Sequence, residues 1–152
     1  RDLVRSRGLG DVYKRQILIE MTSIQTVDGQ ADTNRLTYHG RYQETDGKAI
    51  LQYMQVDEMG RTRNKLEVWD GGCRMTTTGD MGRVMEFLPG QRTSTQMRTP
   101  MGCMDMDIVT HVYELDVVKE KEPHMQILLV YDLHVGGNTL AENRLEVRVQ
   151  PA

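Results

Sequence analysis

Apolar and polar residues alternate in short runs along most of this chain, and glycine-containing pairs separate the runs. From Thr33 to Thr45, Leu36, Tyr38, Gly40 and Tyr42 fall on one face while Arg35, Thr37, His39, Arg41 and Gln43 fall on the other. That period of two is the mark of a half-buried strand. An extended run from Ile17 to Val27 precedes it and ends at Asp28-Gly29. Asp46-Gly47 turns the chain into a run from Lys48 to Glu58, and Glu58-Met59-Gly60 turns it again into Arg61 to Asp70, where Leu66 and Val68 share a face. The stretch from Asn64 to Leu88 then reads as a β-meander, three runs separated by Asp70-Gly71-Gly72 and Gly79-Asp80-Met81-Gly82, with Met85 and Phe87 predicted to point inward. Asp-Gly and Gly-Asp pairs supply the positive φ angles of tight hairpin turns.

The second half continues the pattern. Gln91 to Thr99 is highly polar and is read as an edge strand, a loop or a lid, and Pro100 marks a corner after it. Met104, Met106 and Ile108 share a face opposite Asp105 and Asp107, whereas beyond Thr110 the apolar set shifts to Tyr113, Leu115 and Val117. A slip of one residue exchanges faces, which predicts a bulge or bend near Thr110-His111. A charged turn at Lys119 to Pro123 leads to a strand lined by Ile127, Leu129, Tyr131, Leu133 and Val135, and Gly136-Gly137-Asn138 returns the chain to Leu145, Val147 and Val149. Matching apolar faces sets Tyr131 opposite Leu145 and Leu129 opposite Val147. On the outer face this places Asp132 opposite Arg144 and His134 opposite Glu142. Gly40, standing where an inward side chain belongs, predicts a bulge or a sharp bend.

No run holds a helical period over the ~11 residues that identify a helix. The fold class is therefore all-β, with eight to ten antiparallel strands joined by short turns. An open sheet of that size would leave two edges unpaired, and closure into a single up-and-down β-barrel removes them. A sandwich competes, but its crossovers need longer connections.

The 152 residues match one domain by length. The two cysteines, Cys73 and Cys103, are isolated in sequence, which excludes a disulfide framework or a Cys-x-x-Cys site and suits a cytoplasmic setting. The longest apolar run, Ile127 to Tyr131, is far short of the ~20 residues of a membrane-spanning helix. The first sixteen residues are basic, lack alternation and stop where the pattern starts at Ile17. Asp11-Val12-Tyr13-Lys14-Arg15-Gln16 is what a transposon end used in sequencing libraries encodes, so residues 1–16 are expected to be a non-native read-through and residues 17–150 the barrel domain. The alternative is a basic arm that binds nucleic acid. Setting aside the five basic and two acidic residues of that segment leaves 14 basic against 20 acidic side chains, a net charge of −6. An acidic body lacks the clustered cations of a nucleic-acid footprint.

The order of Tyr53, Asp57 and Gly60, then Gly79 with Phe87, then Thr99-Pro100-Met101-Gly102, Thr110 and finally Tyr131-Asp132-Leu133-His134-Val135-Gly136 resembles the YwiB-like family of small bacterial proteins. The resemblance covers Ile17 to about Val149. It implies a barrel similar to the calycins, which include lipocalins and fatty-acid-binding proteins, and a bacterial cytoplasmic origin, without implying a mechanism. Thr77 and Met97 stand where the family pattern carries Arg and Tyr.

Catalytic chemistry finds no foothold. There is no Gly-x-Ser-x-Gly elbow, and neither cysteine has a histidine near it in sequence. Asp105, Asp107 and His111 have the even spacing of a candidate metal site, but alternating acids are what a half-exposed strand carries, and the register slip moves His111 off their face. Asp132 and His134 are accounted for by cross-strand partners. No enzyme, metal or cofactor is expected. Arg61 to Arg98 is locally basic against an acidic Asp105 to Glu122, read as solvated exterior. Eleven methionines suit an adaptable apolar interior. The leading expectation is a non-enzymatic barrel holding a small apolar or amphipathic ligand, with Tyr38, Tyr42, Tyr53 and Met106 lining the site and Arg74 or Arg98 meeting an anionic end. The alternative is a protein-interaction module that uses the outer sheet face and the Gln91 to Thr99 edge.

Overall fold

A computed structural model describes residues 15–58, 60–118 and 123–152. Among them run ten strands: β1 (Arg15–Val27), β2 (Gln30–Thr45), β3 (Lys48–Asp57), β4 (Gly60–Trp69), β5 (Gly72–Gly79), β6 (Arg83–Phe87), β7 (Arg92–Thr99), β8 (Gly102–Val117), β9 (Met125–Val135) and β10 (Asn138–Pro151). They form one antiparallel sheet in the order β6-β5-β4-β3-β2-β1-β10-β9-β8-β7. Each strand pairs with its neighbours in sequence except that β6 and β7 stand at the two ends of the order and β1 pairs with β10. The polar Gln91 to Thr99 run is thus a strand.

The two ends meet and nearly close the sheet into a barrel. Gly82 and Arg98 exchange backbone hydrogen bonds, with Arg98 N donating to Gly82 O at 2.7 Å and Gly82 N to Arg98 O at 2.9 Å. Along the rest of the seam, side chains replace the backbone ladder. Thr93 Oγ1 donates to Glu86 O at 2.6 Å and Thr95 Oγ1 to Val84 O at 2.5 Å. The polar character of β7 therefore serves closure of the β6 edge.

The predicted turns form as their chemistry dictates. Asp28 and Asp46, each before a glycine, adopt φ of 52° and 48° in the β1–β2 and β2–β3 hairpins. Residues that face each other across antiparallel strands lie on the same face, so the register defines the interior. Ile17, Ile19, Leu51, Leu66, Val68, Cys73, Ile108, Leu129, Val147 and Val149 are all nearly inaccessible to solvent and belong to one core, with Met85 and Phe87 turned inward as predicted.

The bulge predicted near Thr110-His111 is present. Val130 pairs with Val112 and Tyr131 with Thr110, leaving His111 as the extra residue. Two expectations are corrected. In the β9–β10 ladder Leu129 lies opposite Leu145, Tyr131 opposite Asn143 and Asp132 opposite Glu142, while His134 pairs with Thr139. The expected Asp132–Arg144 and His134–Glu142 pairs do not form. A displacement of two residues keeps every side chain on its face, so alternation cannot detect it; the tight turn at Gly136-Gly137 and a bulge between Leu133 and His134 decide the register. Gly40 is no bulge: the β1–β2 ladder runs through it without a break, and the β2–β3 ladder ends there, at its pair with Tyr53. It is a point of close approach, where a Cβ would lie 2.5 Å from Gln52 O and 2.9 Å from Ile19 Cδ1. Arg15 and Gln16 extend β1, pairing with Tyr42 and Arg41. The expectation of a non-native start otherwise falls on residues 1–14, outside the described residues, as do Lys119 to Glu122 of the charged turn and Met59 of the β3–β4 turn.

Candidate functional site

The register places four residues of successive strands in one inward row: Tyr53 on β3, Asn64 on β4, Thr77 on β5 and Arg83 on β6. The next row holds Tyr42, Leu51, Leu66, Met75 and Met85. A polar stripe thus lies beside an apolar one inside the same wall. Thr77 Oγ1 donates to Asn64 Oδ1 at 2.8 Å, holding the amide in place. Asn64 is only 6% exposed, and its Nδ2 has no protein acceptor. Arg83 Nε is likewise buried without one. The Tyr53 hydroxyl meets two thioethers, Met21 Sδ at 3.6 Å and Met75 Sδ at 4.0 Å, which are weak acceptors. Tyr38 packs on Tyr53 with ring centroids 4.5 Å apart and planes tilted by 31°.

The facing wall contributes a second row, Thr110 on β8, Tyr131 on β9 and Asn143 on β10. Thr110 Oγ1 and Asn143 Nδ2 are also buried without a protein partner. The walls touch where Phe87 meets the Tyr131 ring edge-on, centroids 4.7 Å apart. Burial pushes the Tyr53 hydroxyl pKa well above its ordinary value, helped by Tyr38, and pushes that of Tyr131 up as well. The positive charge of Arg83 works against both shifts, so this guanidinium is felt at both walls. Burial and the charge of Asp57 raise Tyr38 too.

Of the six residues expected at the site, Tyr38 and Tyr53 stand together, Tyr42 lies in the adjoining row with its hydroxyl donating to Glu44 Oε1 at 2.5 Å, and Met106 is buried in the wall of β8. Arg74 and Arg98 face outward and cannot meet a ligand inside. Arg74 Nη2 pairs with Glu86 Oε2 at 2.7 Å, and the Arg98 guanidinium packs over Gly82, where an added Cβ would lie 2.8 Å from Nη2. The cation that sequence reasoning missed is Arg83. Its signal was available: it has the parity of Met85 and Phe87, which alternation had already turned inward.

The other candidate groups are engaged on the outer face. Asp107 accepts from Ser94 Oγ and from Arg92 Nη1, both at 2.8 Å, and these bonds hold its carboxyl below the usual range. Asp105 accepts from Gln96 Nε2 at 3.1 Å, and His111 Nε2 lies 2.9 Å from Asp132 Oδ2. Among the described residues no three His, Cys, Asp or Glu side chains are grouped to hold a metal ion, and no helix is long and apolar enough to cross a membrane. A groove of about 340 Å³ runs over the outside of β1, β8, β9 and β10, lined chiefly by Glu20, Glu114, Asp116, Gln126, Arg144 and Arg148.

Comparison with known proteins agrees with this architecture. The chain is 22% identical over 120 residues to the uncharacterized beta-barrel protein YwiB of Bacillus subtilis, covering 79% of this chain and 82% of that protein. The crystal structure of the ywiB protein from Bacillus subtilis superposes with a TM-score of 0.83 at 18% identity, over 93% of this chain and 95% of that one, which shows a shared fold. Residues 19–147 match the family described as Domain of unknown function (DUF1934), and the chain belongs to that family.

Proposed function

We propose that this protein is a non-enzymatic binding protein whose barrel holds a small, partly apolar ligand against the row formed by Tyr53, Asn64, Thr77 and Arg83. The observation that carries this reading is the set of polar atoms buried in the barrel wall without protein partners. Each such group costs about 1–3 kcal/mol when left unpaired. A barrel that keeps two of them in one inward row, one belonging to a guanidinium, and two more in the row of the facing wall has the character of a site prepared for a partner. Methionines 21, 75 and 85 supply the apolar part, because an unbranched thioether side chain repacks at little cost. Small barrels either fill their interior or hold one small ligand, and on this reading the barrel takes the second course, with those methionines repacking around the ligand. A bacterial cytoplasmic location belongs to the same reading and is supported by two free cysteines, one of them exposed.

A second reading has one observation in its favour. The polar groove across β1, β8, β9 and β10 gives a partner protein a concave face of mixed charge to dock on.

Titration of the purified chain with the neutral, apolar dye Nile red, together with native mass spectrometry, tests the first reading. Saturable one-to-one binding, competed by a ligand carried through purification, is expected. Absence of dye binding, with a native mass equal to that of the bare chain, would overturn it.

A further inference from the structure

The polar atoms left unpaired in the barrel wall share one chemical character. Asn64 Nδ2, Arg83 Nε and Asn143 Nδ2 are N–H donors, and Thr110 Oγ1 is a hydroxyl, able to donate. The Tyr53 hydroxyl adds a further donor that meets only thioether sulfur in the contacts described above. Apart from the lone pairs of the two hydroxyls, unpaired acceptors are missing from this set. The acceptor oxygen of Asn64 is already taken by Thr77, and that of Asn143 accepts from Gln25 Nε2 at 3.2 Å. Among the described residues no carboxylate pairs with Arg83. Glu86, Asp107 and Glu146 each pair with an arginine on the outer face.

A partner for this wall must therefore bring acceptors, and a formal negative charge suits the guanidinium best. Bonds from N–H groups to an oxyanion are shorter and stronger than those to a neutral oxygen, and an oxyanion accepts several at once. A ligand bearing an ammonium group would leave the donors unpaired and face the Arg83 charge. A neutral alcohol would satisfy one or two donors and leave the charge unanswered.

We infer that the ligand carries an oxyanion, a carboxylate or a phosphate, gripped by Arg83 Nε, Asn64 Nδ2 and the Tyr53 hydroxyl, with an apolar remainder lying among methionines 21, 75 and 85. This rests on the binding reading above and narrows it to a chemical class. Arg83, Asn64 and Tyr53 would then be the specificity-determining residues. Arg74 and Arg98, on the outside, would have no part in it.

Calorimetric titration of the full chain with octanoate, octyl phosphate, octanol and octylammonium tests the inference, with Nile red binding followed in parallel. Octanoate or octyl phosphate is expected to bind at least tenfold more tightly than octanol or octylammonium, the tighter of the two anions identifying the oxyanion. Arg83→Gln is expected to abolish that tenfold preference, and Arg74→Gln to leave it intact. The wild-type ligand series decides the matter even if Arg83→Gln does not fold. Octanol binding as tightly as the anions, octylammonium binding more tightly, or Nile red binding without any amphiphile binding would overturn the oxyanion assignment while the barrel remained a binding protein. Loss of Nile red binding as well would remove both readings.

Discussion

His111 Nε2 lies 2.9 Å from Asp132 Oδ2, although neither residue faces the other in the ladder between β8 and β9. The bulge makes the contact. By inserting His111 between Thr110 and Val112, it keeps Thr110 inside the barrel and carries the imidazole outward toward β9. A partly exposed polar contact of this kind contributes about 0.2–1 kcal/mol. His111→Gln and Asp132→Asn should each lower stability by less than about 1 kcal/mol, with a coupling no larger than that in a double-mutant cycle followed by urea denaturation. A larger loss would mean that the pair, and not the inward Thr110, anchors the bulge.

The turn between β5 and β6 depends on backbone that only glycine adopts freely. Gly79 has φ of 112°, and a Cβ there would lie 2.5 Å from Arg61 O. The adjoining Asp80 is locked to β4, its N donating to Arg61 O at 3.1 Å and its Oδ2 accepting from Arg61 N at 2.9 Å. Gly79→Ala should therefore cost at least about 2 kcal/mol, combining an unfavourable φ with a clash. Gly47→Ala, at φ of 76° with open space around it, should cost about 1–2 kcal/mol, the strain of that conformation alone. Equal costs from denaturant midpoints would remove the steric part of this explanation.

Particular residues show how far the sequence could be read. Alternation in Leu36 to Tyr42 and in Met104 to Ile108, with Asp-Gly turns between runs, was enough for eight to ten antiparallel strands and a barrel, because face and turn chemistry are local properties. The same parity argument placed a bulge or bend near Thr110-His111, where the structure has His111 as the extra residue. It missed the β9–β10 register, since Tyr131 and Leu129 are interchangeable to a rule that sees only faces. It named Arg74 and Arg98, which the register turns outward, and did not apply to Arg83 the parity that turns Met85 inward. The donor surplus around Asn64 was invisible, because parity turns Asn64, Thr77 and Arg83 inward but does not say which of their polar atoms find partners there.

Stability should fall at high pH. Burial pushes the Cys73 thiol up to about 12 and raises the hydroxyls of Tyr53, Tyr113 and Tyr131 above their ordinary range. As pH rises through about 9 and then 10, the unfolded chain releases these protons while the native state keeps them. The unfolded state then binds fewer protons, so the free energy of unfolding decreases with pH, by up to about 1.4 kcal/mol per pH unit for each group so held. The contribution of Cys73 is fully present below about pH 9 and lost between there and about pH 12. Tyr131→Phe and Cys73→Ala should each flatten the decline measured by urea denaturation from pH 8 to 11. An unchanged slope would show that these groups ionise alike in both states.

Thiol labelling offers an independent check on the same burial. Cys73 is enclosed and Cys103 exposed. At pH 8, Cys103 should react with a chromogenic disulfide reagent within minutes, and Cys73 only after denaturant is added. Two equivalents of rapid reaction in the native protein would contradict the packing of β5.

Closure of the barrel rests on hydroxyls as well as on backbone. Thr93→Val with Thr95→Val removes the bonds to Glu86 O and Val84 O and should cost about 1–3 kcal/mol in total. It should also speed hydrogen exchange at the Gly82 and Arg98 amides, which form the one bridge across the seam among the described residues. Exchange unchanged at those amides would show that the seam holds without the threonines.

The central claim is that the functional surface is the inner wall around Arg83, and methyl-labelled methionine NMR tests it most directly. Met21, Met75 and Met85 line the inside beside Tyr53, whereas Met54 and Met101 are exposed. On addition of octanoate, the account predicts saturable shifts at the Met21, Met75 and Met85 methyls, with those of Met54 and Met101 unmoved. Shifts confined to Met54 or Met101, or no shift at the interior methyls at saturating octanoate, would contradict it.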